Sequence, residues 1–178
     1  MSRLFGPIRQ VAYVVRDAQA AMDYWTRVME VGPFFYFETT PDQYSIYRGQ
    51  PFRGRNIIAL SQSGAVQIEI IQPLDEVESP FTEFLKSGRD GVQHVAFWTE
   101  HYDADMARYL AAGYKVLMSA RAGGPDTRLA YLERDAHSGP MIEISEVSGP
   151  KGAFFRRIAE TAATWDGTDP IRKVTSFS

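Results

Sequence analysis

Apolar and polar positions follow the same order twice along this chain. Gln10-Val-Ala-Tyr-Val-Val-Arg-Asp17 and His94-Val-Ala-Phe-Trp-Thr-Glu-His101 share an apolar-rich strand pattern, each followed by a segment with helical spacing. After the first strand, over 9–16, Asp17 is placed to cap a helix whose apolar positions are Ala21, Met22, Trp25, Val28 and Met29, stopped by Gly32 and Pro33. Phe34-Phe-Tyr-Phe37 predicts a strand, Thr40 to Gly54 a long loop or irregular edge, and 55–62 with 65–71 a hairpin around Ser63-Gly64. The first unit, 8–73, therefore predicts βαβββ. Ser79-Pro80 with Phe81, Phe84 and Leu85 predicts a short linking helix. The second unit, 91–147, repeats the order: strand 92–99, helix 103–112 ended by Gly113, strand 114–120, a loop through Gly123-Gly-Pro125, strand 127–133, loop 134–139 and strand 140–147. A helix over roughly 151–164 presents Phe154, Phe155, Ile158 and Ala162 on one side, suited to covering a sheet face or a partner chain. The polar, turn-rich residues 166–178 predict a loose tail, and 150–178 as a whole forms a C-terminal helix and tail on a single domain spanning 1–178.

The repeat also carries chemistry. Val66-Gln-Ile-Glu69 aligns with Pro140-Met-Ile-Glu143, so each unit opens with one potential ligand and closes with another. Strand side chains alternate between faces, which puts Gln10 with Ala12 and Val14, His94 with Ala96 and Trp98, Glu69 with Gln67 and Ile71, and Glu143 with Met141 and Ser145. A carboxylate among small and apolar neighbours is costly to bury unless it is paired or coordinates a cation. A lone Glu or His in a strand is ordinarily an edge or solvent-facing residue. Two aligned pairs point instead to a metal site built from Gln10, Glu69, His94 and Glu143, of which the amide is the weakest donor. Such a set suits a divalent ion such as Zn, Ni, Co, Mn or Fe(II), without choosing among them.

Composition narrows this further. With no cysteine, disulfides, thiolate metal sites and a cysteine nucleophile are excluded, so any ligand must be oxygen or imidazole. A net charge of -3 with scattered basic residues gives no reason to expect nucleic acid. No apolar run suits a membrane helix, and the N-terminal Met-Ser-Arg-Leu-Phe-Gly-Pro lacks a signal-peptide core, so a cytoplasmic protein is expected.

The chain resembles the vicinal oxygen chelate superfamily, which includes glyoxalase I, methylmalonyl-CoA epimerase, extradiol dioxygenases and bleomycin-resistance proteins. The resemblance covers residues 8 to about 147. It rests on Val-Ala-Tyr-Val-Val-Arg-Asp with the helix after it, on Glu69-Ile-Ile-Gln-Pro-Leu followed by Ser-Pro-Phe-Thr-Glu-Phe-Leu, on Gly91-Val-Gln-His94-Val-Ala-Phe, and on Arg134-Asp-Ala-His-Ser-Gly-Pro-Met-Ile-Glu143. It implies an α+β fold of two tandem βαβββ modules forming a curled, cup-shaped mixed sheet with helices outside, a homodimer, and ligand roles for Gln10, Glu69, His94 and Glu143. The stretch Glu69 to Phe97 is nearest the epimerase branch and the ligand order nearest glyoxalase I. Two departures matter. Where glyoxalase I has an arginine for glutathione this chain has Val14, and where the epimerase has a second catalytic carboxylate, between Gly49 and Val66, there are only Arg53 and Arg55.

The implied reaction is a metal-dependent isomerase or lyase step on a small-molecule substrate: a proton leaves the carbon beside a carbonyl whose oxygen the metal holds. Glu143 is the first candidate base and Glu69 the second. An Fe(II) extradiol-type ring-cleaving dioxygenase and a non-catalytic binding protein of the bleomycin-resistance type are the alternatives. Tyr44, Tyr47, Arg53, Trp98 and Arg128 are candidate substrate contacts, although residues of these types are more often core, rim or solvated surface. His101 and His137 read as turn residues rather than ligands.

Overall fold

The structure is a computed structural model and describes residues 2–39, 43–122, 127–135 and 139–175. Along the chain the elements are β1 (Gln10–Val14), α1 (Ala18–Arg27), β2 (Phe34–Glu38), β3 (Ile46–Tyr47), β4 (Gln50–Pro51), β5 (Asn56–Ser63), β6 (Val66–Pro73) and α2 (Pro80–Lys86). The second half adds β7 (Gly91–Thr99), α3 (Tyr102–Ala111), β8 (Lys115–Arg121), β9 (Arg128–Glu133), β10 (Met141–Glu146), α4 (Gly149–Ala163) and β11 (Ile171–Lys173). All described strands join one curled, unclosed mixed sheet in the order β11-β2-β5-β6-β1-β7-β10-β9-β8-β3-β4. Each βαβββ unit pairs its first strand with its last in parallel, β1 with β6 and β7 with β10. The two units then meet through the antiparallel pair β1 and β7, within one chain.

Alternation assigns the two faces. On the outer face Ile68 and Ile70 pack with Ala18 and Met22 of α1, and Ile142, Ile144, Ala130 and Leu132 pack with Met106 and Tyr109 of α3. The Asp17 carboxylate starts α1 by accepting from the Ala20 backbone N–H. The inner face is closed at its two ends by the other helices. Phe81 and Phe84 of α2, begun by a Ser79/Thr82 capping box, meet Val14 and Ile71, while Phe154, Phe155 and Ile158 of α4 meet Phe35 and Leu60. Among the described residues no helix is long and apolar enough to cross a membrane.

Two expectations, for the end of α1 and for the tail, need correction, and the irregular edge expected after Thr40 takes a definite form. α1 ends at Arg27, so Val28 and Met29 are exposed rather than part of its buried stripe. The segment from Thr40 to Gly54 contains a small hairpin: Arg48 and Gly49 both have positive φ (47° and 77°), which suits a two-residue primed turn, and β3 pairs with β8 at the far edge of the sheet. The tail is not loose over its described part, because β11 adds to β2 in parallel and the Trp165 indole lies against Gly32. Gly123 to Pro125 and His137 lie outside the described residues.

Candidate metal centre

Four central strands, β6, β1, β7 and β10, present the predicted donors on the inner face. Ala12 of β1 is flanked by Glu69 and His94 on its two neighbours, and Ala96 of β7 is flanked by Gln10 and Glu143. Both alanines are fully buried. A methyl group at each leaves the volume above the sheet to the longer side chains beside it. One ligand atom each from Glu69, His94 and Glu143 lies within 4.8 Å of the others, and all three residues are buried. Gln10 is also buried on this face; its Nε2 donates to Gln67 Oε1 at 2.8 Å, which leaves the carbonyl oxygen as its donor atom.

A β-bulge aims the imidazole. The β1–β7 register shifts between Ala12 and Tyr13, passing over Gln93, so Gln93 and His94 are both buried. His94 Nδ1 is 2.7 Å from Gln93 Oε1, an acceptor, so Nδ1 carries the proton and Nε2 is turned to the carboxylates. Nε2 lies 3.2 Å from Glu69 Oε2 and 3.1 Å from Glu143 Oε2. Neither approach has hydrogen-bond alignment: His94 Nε2 and Glu69 Oε2 are buried without a hydrogen-bond partner. One N–H axis cannot serve two off-axis carboxylates. The ion-pair distances nevertheless make the electrostatics strong, and a cation at the focus of these atoms satisfies all of them, so the residues fit a divalent ion.

The charges are tightly coupled. Burial pushes the Glu69 carboxyl up, reinforced by Glu143 and opposed by His94. Burial also works on Glu143, but His94, Lys151 and Ser145 together hold that carboxyl below its ordinary value. Burial disfavours a charged His94, yet the two carboxylates outweigh it and bring its pKa up to about 9.

The cluster opens on a cavity of 810 Å³ lined by Gln10, Glu69 and Glu143 together with Ser145 and Lys151. Phe37, Phe52, Phe81, Phe154 and Phe155 also line it. Of the candidate substrate contacts, Tyr44 lines this cavity, with the Arg121 guanidinium 4.3 Å from its ring centroid. The others do not line it. Tyr47 is buried in the cluster around Phe81 and Met118, and Arg53 donates to the Phe52 carbonyl at 2.8 Å. Trp98 shares the His94 face but lies behind Phe155, its ring centroid 4.9 Å from that phenyl, and lines a separate pocket with Arg9 and Arg156. Arg128 has the parity opposite to Leu129 and binds Glu146 and Asp103. His101 is the N-cap residue of α3.

Lys151 and Gln93 escaped the sequence reading. Lys151 is 6% exposed, and its Nζ donates to Ser145 Oγ. Burial lowers its pKa, opposed by Glu143, Glu69 and Glu146. The available signal was positional: Lys151 precedes Phe154, Phe155 and Ile158 by three, four and seven residues, on their helix face.

The fold has counterparts among solved structures. Methylmalonyl-CoA epimerase from Mycobacterium tuberculosis is 21% identical, with 86% of this chain and 95% of that one covered at a TM-score of 0.59. A hypothetical protein from Bacillus halodurans C-125 is 17% identical, with 79% and 93% covered at 0.57. A single-residue variant of Streptomyces coelicolor methylmalonyl-CoA epimerase, in complex with 2-nitronate-propionyl-CoA, is 21% identical, with 79% and 93% covered at 0.52. No curated protein sequence matches. A family model described as Glyoxalase/Bleomycin resistance protein/Dioxygenase superfamily matches residues 9–131, and the chain belongs to that superfamily.

Proposed function

We propose that this chain is a metal-dependent isomerase or lyase of the glyoxalase/epimerase type, removing a proton from the carbon beside a carbonyl of a small substrate. The observation that carries this reading is the buried Glu69, His94 and Glu143 cluster at the floor of a cavity with phenyl walls. Gln10, Glu69, His94 and Glu143 are the residues that would hold a divalent ion, whether Zn, Ni, Co, Mn or Fe(II). When bound, the ion supplies Lewis acidity that stabilises negative charge developing on a substrate oxygen.

The protein's own groups do the rest. Gln93 fixes the His94 tautomer through Nδ1. Burial of Glu69, His94 and Glu143 shields them from bulk water and so strengthens the charge interactions among them. Glu143, placed by the last strand of the second unit in the cavity lining, accepts the substrate proton, and Glu69, whose carboxyl pKa is raised by burial, is the second candidate for that role. We also propose a homodimer, read as a two-chain mass in solution.

The test is solvent exchange. In deuterium oxide the metal-loaded protein, offered a panel of small carbonyl compounds, should incorporate deuterium at the carbon beside the carbonyl of its substrate. Glu143→Gln should lower that exchange by at least about a hundredfold while folding normally, in the range for a positioned general base. Exchange retained by Glu143→Gln and lost by Glu69→Gln would move the role to Glu69. No exchange with any compound would contradict the reading.

A further inference from the structure

We propose that Lys151 is the anion-binding residue of the cavity, and that the substrate is a monoanionic oxo acid: an apolar body carrying a carbonyl for the metal site and a carboxylate for the lysine. The proposal deepens the function above and rests on it for the carbonyl half and for the charge balance of the loaded site.

Lys151 lies in the first turn of α4, outside both repeated units, and is carried to the floor by the docking of that helix. Gly152 makes the close approach possible, since a Cβ there would collide with the Val147 carbonyl oxygen. The ammonium is buried, lines the cavity beside Glu143, and spends one donor on the Ser145 hydroxyl. An ammonium has three donors, so two remain for a ligand.

Charge then identifies the ligand. A divalent ion balances the Glu69 and Glu143 carboxylates, and neutral His94 adds nothing. Glu146, the other carboxylate acting on the lysine, is already paired with Arg128 through contacts of 2.8 and 3.0 Å. Glu38 and Arg121, which also line the cavity, cancel in formal charge, so with a divalent ion bound the lining keeps one surplus positive charge, that of the buried lysine, which is costly until an anion cancels it. A substrate with a single negative charge does so. The five phenyl groups above the floor select an apolar body for that anion.

The probes are phenylpyruvate and its methyl ester, which share the ring and the carbonyl and differ in charge. Binding is measured by calorimetry with zinc-loaded and metal-free protein. The zinc-loaded chain should bind the acid at least about tenfold more tightly than the ester, as expected for a charge-assisted hydrogen bond in a buried site. Lys151→Met should erase the difference and Lys151→Arg should restore most of it, with zinc uptake retained in both. Equal affinity of acid and ester for the wild-type chain overturns the proposal without any variant, as does failure of both probes to bind. So does an undiminished preference in Lys151→Met. If the chain takes up no zinc yet metal-free protein still prefers the acid, the metal reading fails and the lysine assignment stands.

Discussion

His94 is the residue through which pH acts most directly on the site. In the metal-free chain burial opposes the charged ring, but Glu143 and Glu69 raise its pKa from 6.5 to about 9. A group whose folded pKa exceeds its unfolded value contributes stability that is fully present below the unfolded value and lost as pH rises through the folded one. Thermal melts of metal-free protein should therefore move to lower temperature between pH 6.5 and about 9, and a flat profile would contradict the pairing. A divalent ion held by His94 would take the place of the proton on Nε2, so uptake within this window should release protons. Titration enthalpies that track the buffer's ionisation enthalpy would show it. Gln93 gives a second residue-level prediction. Replacing it with Leu removes the acceptor at Nδ1 and frees the ring to turn, which should weaken zinc binding by about 10–100-fold in a chelator competition. Unchanged affinity would leave Gln93 with a packing role alone.

Among the elements, α4 matters most to the site, because it closes one end of the inner face and delivers Lys151. Gly152→Ala sets a methyl group against the Val147 carbonyl and should cost about 1–3 kcal/mol, the usual range for overpacking. Faster amide exchange in α4 than in α3 would place the damage there, whereas an unchanged melt would show that the helix docks loosely. The two units were legible in the sequence because their strands alternate and their helices carry the 3.6-residue period: β1, β7 and β10 begin within one residue of their expected starts. What escaped depends on partners distant in sequence. Nothing local marks Ile171 to Lys173 as a strand, since it exists by pairing with Phe34 to Tyr36. The bulge at Gln93 arises where two ladders meet, and Lys151 reads as one charge on an amphipathic helix until that helix is seen to cover the inner face. Arg128 suits a substrate contact by residue type, but strand parity beside Leu129 sends it to the outer side.

For the whole molecule, the decisive feature is that β1 and β7 join the two units within one chain. Glu69 from the first unit and His94 and Glu143 from the second reach one focus without a partner subunit. Each chain should thus carry a complete set of donors whatever its oligomeric state. The superfamily and the shared fold establish the frame, and the buried donors give that frame its chemistry. The most direct test is the metal content of the protein after reconstitution with zinc and removal of excess ion, read by elemental analysis. About one zinc per chain is expected at any protein concentration, and none retained by His94→Ala or by a Glu69→Gln/Glu143→Gln double variant that still folds. A wild-type chain that retains no divalent ion, or variants that retain it as the wild type does, would contradict the metal site.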